Sequence, residues 1–129
     1  MINNFPPGFE GDIKNIAIDF DGVIHDANKG WFDGTCYGEP MLGAIDAVKA
    51  LSRKYNVIIF TAKAKSDRPL INGKTGKKLV EEWLGKFGLL SYISEITAEK
   101  PRALLYIDDN GYRFENWNDS LKFIWKNID

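Results

Sequence analysis

"IKNIAIDFDG", residues 13–22, runs an apolar segment into two aspartates and a glycine. Side chains alternate along a strand, so Asp19 and Asp21 leave its end on one side while Phe20 turns into the core. Carboxylates placed that way repel: two unit charges ~4 Å apart cost about 4 kcal/mol at an effective dielectric of 20. The stretch therefore reads as a buried strand with an acidic carboxyl edge, and something positive has to sit beside it.

The same grammar recurs along the chain. "NVIIFT", 56–61, is β-branched without polar alternation, as in a parallel strand covered on both faces, and it ends in Thr61. "ALLYID", 103–108, ends in Asp108 with Asp109 beyond it, and a shorter strand is expected at "YISEIT", 92–97. Between the strands lie amphipathic stretches. "EPMLGAIDAVKALSRK", 39–54, has Pro40 near its start and Met41, Ala44, Ile45, Val48 and Leu51 at helical spacing. Leu79, Val80, Trp83, Leu84 and Phe87 form a second stripe stopped at Gly88, and Trp117, Leu121, Ile124, Trp125 and Ile128 a third. The order predicts an α/β fold: a three-layer, Rossmann-like open parallel sheet with helices on both faces and a site at the strand carboxyl ends.

The chain's 129 residues fit one domain, 1–129, with one core. A net charge of -1 gives no global attraction to nucleic acid or membrane. Cys36 is the single cysteine, which excludes an internal disulfide and a thiolate metal site. "MINNFPPGFEGD" lacks a basic start and an apolar stretch, and no segment approaches the ~20 apolar residues of a span, so the expectation is a cytoplasmic protein without membrane contact. The acidic groups at the strand ends offer oxygen ligands only, with no convergent His or Cys, which favours Mg²⁺.

"IAIDFDGVI", "VIIFTAK" and "EKPRALLYIDD" together resemble the four motifs of the haloacid dehalogenase-like (HAD) phosphohydrolases, in the family's order from Asp19 to Asp109. The resemblance implies a Mg²⁺-dependent phosphatase in which Asp19 is the nucleophile and forms an aspartyl-phosphate. Asp21 would act as general acid and base. Thr61 and the N–H of Ala62 would hold phosphoryl oxygens, and Lys100 would offset negative charge. Mg²⁺ would be bound by Asp19, the Asp21 carbonyl and Asp108, with Asp109 ranked behind them. A carboxyl beside another has its pKa raised by repulsion, so Asp21 is expected to carry a proton near neutral pH. The intervals between motifs are mostly consumed by sheet-covering elements, which implies a member without a cap domain. An open cleft suits a bulky substrate such as a nucleic-acid 3′-phosphate end or a phosphoprotein, unless a neighbouring subunit supplies a lid; the resemblance equally admits a phosphorylated small molecule, a sugar phosphate or nucleotide.

Plainer readings stand beside these. D-x-D after a strand, taken alone, is more often a turn or helix cap. The basic run Lys63, Lys65, Arg68, Lys74, Lys77 and Lys78 is either a solvated face or a site where Lys63 and above all Arg68 bind the non-reacting part of the substrate. His25 is expected on a substrate-side flap rather than in catalysis. Trp31, Phe32 and Tyr37 either stack on a ligand or close over the core, and Cys36 is expected to be inert. A catalytically silent phosphate-binding or regulatory module would keep the same fold. A receiver-type signalling domain would need an aspartate where this chain has Thr61.

Overall fold

Ile16, Ala17 and Ile18 have no solvent exposure on either side of their strand, which places that strand at the centre of a sheet. A computed structural model describes residues 14–108 and 114–127; Ile13, Asp109 and Ile128 lie outside the described residues. The central strand is β1 (Asn15–Asp19), flanked by β2 (Asn56–Phe60) and β4 (Leu105–Ile107), with β3 (Glu95–Thr97) outside β2. All pairings are parallel, with Asp19 opposite Phe60 and Ile18 opposite Ile107. The expected α/β parallel sheet is what forms, and its register brings the carboxyl ends of β1, β2 and β4 together.

Three helices accompany it: α1 (Ala44–Ser52), α2 (Gly76–Lys86) and α3 (Trp117–Asn127). Register-paired residues point to one face, and Ile16, Ile18, Val57, Ile59, Ile96, Leu105 and Ile107 share a single apolar cluster with buried residues of all three helices. The other face carries Ala17, Ile58, Phe60 and Tyr106. It is crossed by the connection from β3 to β4, where Lys100 Nζ lies 5.6 Å from the Phe60 ring centre and 4.5 Å from that of Tyr106. Helices were expected on both faces; among the described residues the helical layer lies on one. The connection between β3 and β4 is too short to hold a helix, so an extended segment takes that place.

Local chemistry sets the helix ends. α1 starts at Ala44 rather than near Pro40, because Gly43 adopts φ +82°, outside the helical region. The preceding residues serve another purpose: Met41 N–H donates to Ile24 O and Asp26 N–H to Glu39 O, tying both ends of the loop that follows β1. α2 contains Gly85 in its interior, which costs about 1 kcal/mol relative to Ala, whereas Gly76 at its start is required because a Cβ there would stand 1.8 Å from the Lys63 carbonyl oxygen. Burial of Val80, Trp83 and Leu84, about 1.5–3 kcal/mol each, outweighs that, and the Thr75 hydroxyl caps the Lys78 N–H at 3.1 Å. In α3, Trp117 and Ile124 are buried as the spacing predicts, whereas Trp125 stays 39% exposed under the Lys54 ammonium. No helix among the described residues is long and apolar enough to cross a membrane.

Candidate active site

β1 ends in Asp19, whose Oδ1 accepts the Phe20 N–H at 2.8 Å. Asp19 faces the same side as its register partner Phe60, the side that Lys100 crosses. Lys100 Nζ pairs with Asp108 Oδ2 at 3.0 Å, and Asp108 is 7% exposed at the end of β4, next to β1. Because Phe60 and Tyr106 belong to the strands on either side of β1, an ammonium that touches both rings lies over the end of β1. The register therefore places Asp19 at the same sheet edge as the Lys100–Asp108 pair. Asp109 lies outside the described residues.

Asp21, two residues further on, sits in a separate cluster. Its Oδ2 receives the Lys63 ammonium at 2.8 Å, and its Oδ1 receives His25 Nδ1 at 2.9 Å. Lys63 is 1% exposed and His25 fully buried. The partners fix the imidazole tautomer: the Gly38 N–H can only donate, and it donates to Nε2 at 2.8 Å, so the ring proton is on Nδ1 and points at Asp21. Phe20 stacks on the imidazole at 5.2 Å, and Trp83 and Tyr37 meet its edges. His25, expected at a flap or substrate-side position, is instead fully buried and holds Asp21.

The expected protonation of Asp21 is also corrected. Burial works against its charge, but the hydrogen bonds from His25 and Lys63, with the Lys63 charge, outweigh burial and hold the carboxyl below its ordinary value of 3.8. The sequence called for positive charge among the acids and pointed to Mg²⁺ and Lys100 for it, with Lys63 assigned to the substrate instead of to Asp21. The signal for Lys63 was available in the register: Asp19 pairs with Phe60, so the residues just past each strand end, Asp21 and Lys63, become neighbours.

Thr61 is buried; its N–H extends the ladder to Thr97 O, and its hydroxyl accepts the Lys63 N–H at 3.2 Å, starting a short turn over Ala62–Ala64. Ala62 is exposed, and its carbonyl accepts from Arg68 Nε at 3.1 Å. Arg68 and Lys63 both lie against the Trp31 indole, 4.6 and 4.4 Å from its centre. These three residues line a cavity of about 260 Å³ with Asp33, Pro69 and Ile71. Phe32 is exposed, whereas the Tyr37 hydroxyl donates to Gly30 O and braces the loop. Burial pushes the Cys36 thiol up to about 12, in line with an inert residue.

Among the described residues no three His, Cys, Asp or Glu side chains are gathered as a metal cluster. The Mg²⁺ set inferred from the motifs asks for less: two carboxylates, Asp19 and Asp108, and the Asp21 carbonyl. Those donors are all hard oxygens, the ligand type that Mg²⁺ takes. Comparisons of the chain with protein-family models, curated proteins and solved structures found no match.

Proposed function

We propose that the chain is a Mg²⁺-dependent phosphomonoester hydrolase of the HAD-like type, acting through an aspartyl-phosphate on Asp19. The observation that carries this reading is the Lys100–Asp108 pair at the carboxyl edge of the parallel sheet, on the strand next to the one that ends in Asp19, whose other neighbour leads into Thr61. In the first step a carboxylate oxygen of Asp19 bonds to phosphorus, the bond to the leaving oxygen breaks, and that oxygen takes a proton from Asp21. In the second, water attacks phosphorus, Asp21 takes its proton, and phosphate leaves with Asp19 restored. Asp21 must be protonated for the first step, and an arriving phosphate dianion favours this by opposing the ionised form. Lys100 offsets charge on Asp19 and the phosphoryl group. Mg²⁺, held by Asp19, the Asp21 carbonyl and Asp108, would supply charge neutralisation for the transferring group.

A second reading, a catalytically silent phosphate-binding or regulatory module, is favoured by one feature: both oxygens of Asp21 are engaged by His25 and Lys63. Release of phosphate from an aryl phosphate, with and without Mg²⁺, separates the two. Turnover by the natural chain that vanishes in Asp19→Asn supports the hydrolase; phosphate binding without turnover supports the silent module.

A further inference from the structure

We propose that the cavity beside Trp31 receives the leaving group of the substrate, and that this group carries a second anion, a carboxylate or a phosphate, held by Arg68 with Lys63 behind it. The inference rests on the hydrolase reading, since it takes Asp21 as the residue that protonates the leaving oxygen. Such a residue must stand within hydrogen-bond reach of that oxygen, so the rest of the alcohol extends from Asp21 into adjoining space. Lys63 is the link: its ammonium bonds Asp21 Oδ2 at 2.8 Å, and the same side chain lines the cavity.

The wall chemistry selects an anion. Lys63 and Arg68 converge on one indole ring, an arrangement of like charges that a bound anion relieves. Lys63 has Asp21 as counter-ion. Arg68 spends Nε on the Ala62 carbonyl, and its two terminal nitrogens have no partner among the described residues, which leaves the fork that binds carboxylate or phosphate in a bidentate manner. Asp33, the one carboxylate in the lining, accepts the Thr35 N–H and hydroxyl on Oδ1 at 3.0 and 2.6 Å, and its exposure lets water screen its charge. Base stacking is the weaker fit, because the indole already carries two cations. At about 260 Å³ the space suits a small molecule rather than a polymer end.

The test uses a matched series: glycerol 3-phosphate, 3-phosphoglycerate and glycerol 1,3-bisphosphate, which add no second anion, a carboxylate and a phosphate. The kcat/KM values are expected to favour the two anionic esters by at least about tenfold, and Arg68→Met to cut that preference to near unity. The better of the two identifies the source of the anion. Binding is read separately by fluorine NMR of chain labelled with 5-fluorotryptophan. Glycerol 1,3-bisphosphate is expected to move the Trp31 resonance, assigned with Trp31→Phe, and leave those of Trp117 and Trp125 in place. Movement of Trp31 without hydrolysis of any ester upholds the anion site and overturns the hydrolase reading. Hydrolysis of all three esters at equal efficiency, with Trp31 unmoved, overturns the anion site and leaves the hydrolase intact. A preference for nucleoside monophosphates over the whole series, retained in Arg68→Met, overturns it in favour of base recognition.

Discussion

Replacing Lys63 by Met keeps most of the apolar stem but removes the ammonium from both Asp21 and the face of Trp31. Lys63 is 1% exposed and the Asp21 side chain 29% exposed, so the pair is largely shielded from water. Breaking a fully buried pair by removing one partner costs about 3–5 kcal/mol, because the other charge is stranded. Water reaches part of Asp21 and His25 still donates to it, so the cost here is about 2–3 kcal/mol. For a chain of 129 residues that lowers Tm by roughly 6–15 °C. Thermal unfolding at pH 7 measures it, and Asp21→Asn in the same background closes a double-mutant cycle. The double variant is expected to recover part of the loss, with a coupling of at least about 1 kcal/mol. The pair also has a pH signature. Asp21 has its folded-state pKa depressed, so its stabilisation is complete above the unfolded value of 3.8 and is lost as pH falls through the folded value. Lys63→Met should therefore lose less stability than the natural chain between pH 5 and pH 3. A Tm within 2 °C of the natural chain at pH 7, or zero coupling in the cycle, would refute the buried pair.

Two further outcomes test the surroundings of that pair. A Cβ on Gly38 would stand 2.1 Å from the Asp26 carbonyl oxygen and 3.1 Å from His25 Nε2, so Gly38→Ala should cost about 2–3 kcal/mol, read as a lower urea midpoint; an unchanged midpoint would place the loop elsewhere. Cys36, with its thiol pushed up to about 12, should react with iodoacetamide at pH 7.5 at least a hundredfold more slowly in the folded chain than in urea, and equal rates would contradict its burial.

Sheet and site were unequally legible in the sequence. β1 and β2 could be read because a central parallel strand needs apolar side chains on both faces, and "IAI" and "VII" supply them. The stripe of α2 was equally clear, since its buried residues repeat at helical spacing. The start of α1 was misread from Pro40, because residues 39–41 are claimed by long-range bonds to residues 24–26 that no local pattern announces. At the site, the strand ends could be read from the acids themselves. The pairing of Lys63 with Asp21 could not be read from composition: a lysine in a basic loop looks solvated or turned to a substrate, and Asp21 is 42 positions away in the chain. His25 was misplaced for a similar reason, since its burial depends on Phe20, Trp83 and the Gly38 N–H closing around it.

The central claim, that Asp19 accepts a phosphoryl group, is tested most directly by acid-quenching the chain with ³²P-labelled substrate and Mg²⁺ and locating the label by mass spectrometry. Asp19 is expected to carry it, with label and phosphate release both absent in Asp19→Asn. Phosphate release that persists undiminished in Asp19→Asn, or label found on another residue, would contradict the account.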